Sequence, residues 1–477
     1  MLDDLALTID RTADEPLSVQ VADGLRAAAA TGVLRARDRL PSSRALAVRL
    51  GVSRTVVAAA YDQLHAEGWI AGRRGSGTYL TTAPAATPAR AALGVAADEH
   101  PDLLDLFPGA PCVEAIDRAA WRRAWRRAAD TDPAVRKDRA GAPEFRAAIA
   151  EHLLRHRGLG AASDTDVIAT AGTSSAVGEL ASALLRPGDT VAMEDPGYQR
   201  AVGAFRAAGV LVHPVPVDSG GLRVDLLPPT IAAVYCTPAH QFPLGARMPA
   251  TRRVQLVEFA RRAGIPVIED DYDGELRYDT APLPLLAAMA PDVVVHLGTT
   301  SKILSPALGV GWLVAAPQIT EAVLAHRERT GTGPSPAGQR VLAELARHGD
   351  LARHLRRLRR LVPPRRELLV TALRGHGLDV VGDDAGSHLV VPLPSAEAEA
   401  RAIAAGRVAG VALDGLSRHH LRPGGEQSAA PHAFGIALGY TALDWPELTI
   451  AAPLAAACLA AVARSGLRSP SESPARS

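Results

Sequence analysis

Cysteine is scarce in this chain. Cys112, Cys236 and Cys458 are the three in 477 residues, and their wide spacing excludes a disulfide framework or a clustered metal knuckle. That pattern predicts a reduced, cytoplasmic protein without a structural metal. Aromatic side chains are 4% of the sequence, and Lys and Arg number 52 against 51 acids, a net charge of +1. A globally basic nucleic-acid binder is therefore excluded, and any such role rests on local charge. Long apolar runs are missing too. The N-terminal stretch MLDDLALTIDRTADEP is acidic and does not read as a signal peptide. The most apolar stretch, about Leu448 to Val462, reads as a buried or half-buried helix, too short and too small-residued to span a bilayer.

What is present divides in two, as the length leads one to expect. Residues 1–80 hold three helical segments and a hairpin. The first segment, within PLSVQVADGLRAAAATGVL, ends at Gly32. A second begins after Pro41, with Ser42 or Ser43 as cap, and stops at Gly51. A third starts at Ser53 and carries Val56, Val57, Ala60, Tyr61 and Leu64 on one face. Two β-prone runs then flank the Gly-rich turn Arg73–Gly77. Residues 81–102, rich in Ala and Pro, read as a linker. From 103 to 466 short continuous apolar runs alternate with helical segments, the pattern of a mostly parallel α/β sheet covered on both faces; 467–477 reads as a disordered tail.

A short helix, a glycine turn and a longer helix suit insertion into a major groove. Ser53, Arg54 and Thr55 open the longer helix, where hydroxyls and a guanidinium can meet phosphates and base edges. Arg44 opens the preceding helix, and Arg73, Arg74 and Gly75 occupy the hairpin turn. The run PSSRALAVRLGVSRTVVAAAYDQLHAEGWIAGRRGSGTYL closely resembles the winged helix-turn-helix of GntR-family regulators, across nearly all of residues 16–80. The resemblance implies that Arg44, Ser53, Arg54, Thr55, Arg74 and Gly75 contact operator DNA.

In the larger part, Lys302 ends a strand within Gly298-Thr-Thr-Ser-Lys302, where an ε-amino group can condense with an aldehyde cofactor. Asp270 and Tyr272 follow another strand, and a carboxylate there can hold a pyridinium. Thr173 and Ser174 open a helix whose backbone N–H groups suit a phosphate, as do the hydroxyls of Thr299 and Ser301. Tyr198, in Glu-Asp-Pro-Gly-Tyr, can stack on a ring; His240 and Gln241 lie in a further strand-end turn. Each motif alone is as easily a solvated loop, a helix cap or a proline turn.

In this order, the segments resemble pyridoxal-phosphate aminotransferase fold-type-I domains. Joined to the winged helix, they resemble the MocR subfamily of GntR regulators over essentially the whole chain. The resemblance implies pyridoxal 5′-phosphate bound to Lys302 as an internal aldimine, with Asp270 on the pyridine nitrogen. It places Tyr272 on the ring hydroxyl, Tyr198 stacked, His240 or Gln241 near the ring, and Thr173, Ser174, Thr299 and Ser301 on the phosphate. Arg200 falls where an effector carboxylate is bound, and a head-to-tail homodimer on paired DNA half-sites is implied. The rival reading is an active aminotransferase that happens to carry a DNA-binding domain.

Three positions depart from the pattern. Gly309 stands where the family usually has a phosphate-binding arginine, which weakens the cofactor expectation. Arg136, with Lys137 and Arg139 nearby, stands where the family often has a tyrosine that reaches a partner's phosphate, so Arg136 or one of these neighbours is expected to replace the lost charge. The segment Phe434–Tyr440 lacks the arginine with which catalytic aminotransferases clamp a substrate carboxylate, which favours sensing over transamination.

Overall fold

The computed structural model describes residues 7–73, 77–81, 103–132, 135–136, 138–159, 166–278, 284–421 and 433–466. Arg74, Gly75, Lys137, nearly all of the expected linker and the expected tail lie outside these residues. The chain divides into two compact units, Met1–Glu99 and His100–Ser477.

In the first unit the caps follow from local chemistry. Helices α1 (Leu17–Ala30), α2 (Ser43–Leu50) and α3 (Arg54–Ala66) pack around Val21, Leu25, Leu46, Val57, Ala60 and Leu64. The Ser42 hydroxyl accepts from the Ala45 amide and the Ser53 hydroxyl from the Val56 amide, so each frees its helix of an orphan donor. Gly51, at φ +64°, ends α2 in a left-handed turn that a side chain would strain. The Tyr61 hydroxyl donates to the Pro41 carbonyl at 2.8 Å, tying α3 to the start of α2. Strands β1 (Ile70–Arg73) and β2 (Gly77–Leu80) then pair antiparallel, Ile70 opposite Leu80.

The second unit opens with α4 (Arg118–Ala129) and α5 (Pro143–Arg157). Its central sheet uses β3 (Val167–Thr170), β4 (Thr190–Asp195), β5 (Leu211–Asp218), β6 (Gly221–Leu222), β7 (Ala233–Cys236), β8 (Val267–Asp271), β9 (Val294–Thr299) and β10 (Gly311–Val314). Their order is β3-β10-β9-β8-β7-β4-β5-β6. The run from β9 to β5 is parallel; β10 is antiparallel to both neighbours, and β6 to β5. Helices α6 (Thr173–Leu184) and α7 (Gln199–Ala207) pack on one face and α8 (Ala250–Ala263) on the other, which is why β3, β7, β8 and β9 are buried along their whole length.

Helices α9 (Pro317–Thr330), α10 (Pro336–Arg347) and α11 (Asp350–Gly375) lead to a three-stranded sheet of β11 (His388–Leu393), β12 (Asp414–Gly415) and β13 (Phe434–Gly439), with α12 (Ala396–Ala409) and α13 (Trp445–Gly466). α13 is longer than the sequence suggests. Asp444 and Glu447 cap it reciprocally, each backbone amide donating to the other's carboxylate at 2.9 Å. By length and composition it could cross a membrane, but Leu448, Ala452, Ala456 and Leu459 are buried in the core it shares with α11 and α12.

Candidate functional site

The carboxyl ends of the parallel strands converge on one cavity of about 760 Å³, within the range of a cofactor site. Lys302, Asp270, Tyr272, Tyr198, Thr173, Ser174, Thr299, Ser301 and Arg200 all line it. Segments that are far apart in sequence are thus joined by topology alone.

Lys302 follows β9 in a tight turn, half-buried, and its ammonium donates to the Gly109 carbonyl at 2.6 Å. Gly109 has φ +99°, and a Cβ built there would lie 2.6 Å from the lysine nitrogen, so only glycine permits this approach. Burial pushes the Lys302 ammonium below its ordinary pKa, while the charges of Asp273 and Asp270 pull it partly back. A lysine with a depressed pKa holds more of its amine in the nucleophilic form.

Asp270, the last residue but one of β8, is buried. The Tyr235 hydroxyl donates to its Oδ2 at 2.6 Å, and Oδ1 is buried without a partner. Burial raises this carboxyl to about 6, with Tyr235 holding it down. A buried, unpartnered carboxylate oxygen is costly unless a cationic or N–H group meets it. A pyridinium nitrogen is such a group.

Opposite, Gly172 precedes α6 with φ +114°, and Thr173 and Ser174 supply hydroxyls at the helix N-terminus. The Ser174 hydroxyl lies 3.0 Å from that of Tyr198. Thr299 donates to the Ser301 hydroxyl at 3.0 Å and accepts from its amide. These hydroxyls surround an anion's place without a guanidinium from position 309: Gly309 is a left-handed cap at φ +60° outside the cavity lining.

One expectation needs correcting. His240 and Gln241 do not line the cavity; Phe242 does, edge-on to both Tyr198 and Tyr272. Gln241 is spent on the turn, donating to the carbonyls of Pro196 and Phe242 and to Glu194. His240 stands one layer back, its Nδ1 2.9 Å from Asp273 and 3.1 Å from the Tyr272 hydroxyl. Arg136 is exposed and lines a separate hollow with Asp138, Arg139 and Glu328, so it does not reach the Lys302 cavity of its own chain. Tyr235, Gly109, Arg418 and His419 also border the cavity, and no sequence motif points to them.

Behind the site, Arg157 is buried and pairs with Asp271 at 2.5 Å while donating to the Gly274 carbonyl. Ala437, within the segment that lacks the clamping arginine, is buried on β13 beside Val390 and Leu416.

In the first unit Arg44, Ser53, Arg54 and Thr55 are all exposed on the helix-turn-helix, as groove contacts require. Arg39, missed from sequence, lies against the wing: its Nε is 2.9 Å from where a Cβ on Gly77 would sit.

Comparison with known proteins agrees with this division. Residues 102–416 match the aminotransferase class I and II family, and residues 17–80 match the bacterial regulatory proteins of the gntR family. The chain is 34% identical to the probable rhizopine catabolism regulatory protein MocR of Rhizobium meliloti, over 92% of each chain. It is 35% identical to the HTH-type pyridoxine biosynthesis transcriptional regulator PdxR of Corynebacterium glutamicum, over 78% of this chain and 82% of that one. Among solved structures, kynurenine aminotransferase of Pyrococcus horikoshii in complex with PMP superposes with a TM-score of 0.67 at 25% identity, covering 77% of this chain and 92% of that one.

Proposed function

The chain belongs to the MocR-type GntR regulators, an HTH-type DNA-binding unit joined to an aminotransferase class I and II domain, and from that premise we propose that its cavity is a pyridoxal-phosphate-dependent sensor. The observation that carries the reading is the buried, unpartnered Asp270 oxygen in the same cavity as the Lys302 amine. Pyridoxal phosphate supplies an aldehyde that condenses with a primary amine. Lys302 is the amine this chain offers. Asp270 holds a proton on the ring nitrogen and is itself held by Tyr235. The Tyr272 hydroxyl meets the ring oxygen, backed by His240 and Asp273. Tyr198 and Phe242 wall the ring, and Thr173, Ser174, Thr299 and Ser301 with the α6 N-terminus take the phosphate.

Arg200, exposed at the cavity rim, takes the carboxylate of an amine-bearing effector. In a head-to-tail cytoplasmic homodimer, Arg136 of one copy completes the phosphate site of the other. Occupancy of the cavity is coupled to the affinity of the winged helices for an operator, a coupling that commonly changes affinity about 5–150-fold.

The test is a gel-shift on the DNA upstream of the chain's own gene, with and without pyridoxal phosphate. An apparent Kd that moves at least about fivefold supports the sensor. Identical binding curves, from protein that visibly takes up the cofactor, count against it.

A further inference from the structure

The arginines of the second unit are not evenly spread. Helix α4 carries five arginines and no carboxylate along Arg118–Ala129. Between Leu351 and Arg366, α11 carries seven and no carboxylate. The whole chain has a net charge of only +1, so these two stretches leave the remainder net negative. The helices are neighbours, joined by Arg123 with Asp350 at 2.6 Å and Arg357 with Asp117 at 3.7 Å. Those bridges engage Asp350 and Asp117, and Arg353 also turns to Asp350.

What is left is uncompensated. Arg118, Arg122 and Arg126 fall four residues apart, exposed on the outer face of α4 and opposite the buried Ala120 and Ala124. Arg356 and Arg360 are likewise four apart and exposed on α11. Among the described residues none of the five has an ion pair. Like charges held this close repel one another, and a solvated face normally intersperses acids, as the i,i+4 pair Glu151–Arg155 does on α5. Three guanidinium groups at a rise of about 6 Å per step match a regular row of anions. The partner of this protein that presents such a row is the duplex, with one phosphate charge per roughly 1.7 Å of axis.

We propose that the α4–α11 face of the aminotransferase-like unit is a second DNA contact, binding the phosphate backbone without reading sequence. The winged helix supplies base recognition; Arg118, Arg122, Arg126, Arg356 and Arg360 add affinity that depends on salt and on duplex length. The inference rests on the DNA-binding role of the chain and is independent of what fills the Lys302 cavity.

The experiment uses the full-length protein and a mixed-sequence duplex of about six helical turns, with Kd measured by fluorescence anisotropy across a salt series. One variant carries Arg118→Gln, Arg122→Gln and Arg126→Gln. A control of equal charge loss carries Arg206→Gln, Arg401→Gln and Arg407→Gln, three exposed arginines elsewhere. Each lost phosphate contact lowers the slope of log K against log salt by about 0.9, so the α4 variant is expected to lose roughly 2–3 in slope and the control less than about 1. Equal slopes in the two variants, with matching melting curves, overturn the proposal and leave the face as a solvated or protein-docking surface. Arg54→Ala is measured alongside on the fragment upstream of the gene. Loss of binding there with an unchanged α4 slope means that only the second contact is wrong, whereas undiminished binding by Arg54→Ala challenges the winged-helix reading itself.

Discussion

The Tyr235 hydroxyl and Asp270 Oδ2 are 2.6 Å apart in full burial, and the carboxylate's other oxygen is left without a partner beside the Lys302 cavity. One neighbour fixes the carboxylate while the ligand's side stays open. Asp270→Asn keeps the shape and removes the charge, so it is expected to weaken pyridoxal phosphate binding roughly 10–100-fold, the scale of a charge-assisted hydrogen bond. Tyr235→Phe, which frees the carboxylate without neutralising it, costs less. Absorbance titration of both variants checks the order, and an Asn variant with unchanged affinity would remove Asp270 from the site.

The same group sets a pH dependence. Its folded pKa, raised to about 6 by burial, lies above the ordinary value of 3.8, so the native state binds the proton more tightly than the unfolded chain. The stabilisation is complete below the unfolded pKa and lost as pH rises through about 6. Wild-type apoprotein is therefore expected to lose stability relative to Asp270→Asn between about pH 3.5 and 6.5, by at most about 3 kcal/mol. Urea melts of both proteins across that window test this, and parallel profiles would contradict it.

Arg157 is the counter-charge for Asp271, and both are buried. Even with Arg157 beside it, burial holds Asp271 up at about 6. Arg157→Met leaves an uncompensated carboxylate under the cavity floor and is expected to destabilise the second unit by roughly 3–5 kcal/mol. Paired replacement with Asp271→Leu should recover most of the loss. A single variant as stable as wild type would show that the pair is not needed.

The winged helix separates stability from recognition within two residues. Ser53→Ala removes the α3 cap and should cost about 1 kcal/mol of stability. Arg54→Ala removes an exposed guanidinium and should leave melting unchanged while weakening operator binding about 10–100-fold. Loss of stability in Arg54→Ala with intact binding would reverse the assignment.

Much of this was legible in the sequence where local chemistry decides. Ser42, Ser53 and Gly51 announce helix ends because a hydroxyl cap or a left-handed residue acts within one turn. The strand ends bearing Asp270 and Lys302 follow from short apolar runs bounded by polar residues. Which side chain of Ala-His-Gln-Phe-Pro enters the cavity was not legible: the backbone path through the turn spends Gln241 on its own carbonyls, sets His240 behind Tyr272 and turns Phe242 inward. Gly109 and Tyr235 were invisible because a carbonyl and a strand tyrosine acquire roles only when distant segments meet. The longer reach of α13 had a signal in Asp444 and Glu447, a capping pair three residues apart.

Lys137 and Lys302 are the only lysines in the chain, which makes the central claim unusually easy to test. Full-length protein is incubated with pyridoxal phosphate, reduced with borohydride and digested, and the modified peptide is located by mass spectrometry. The account predicts the phosphopyridoxyl adduct on the peptide containing Lys302 and no such adduct in Lys302→Ala. An adduct confined to Lys137 or the N-terminal amine, or equal labelling of the Lys302→Ala protein, would contradict it.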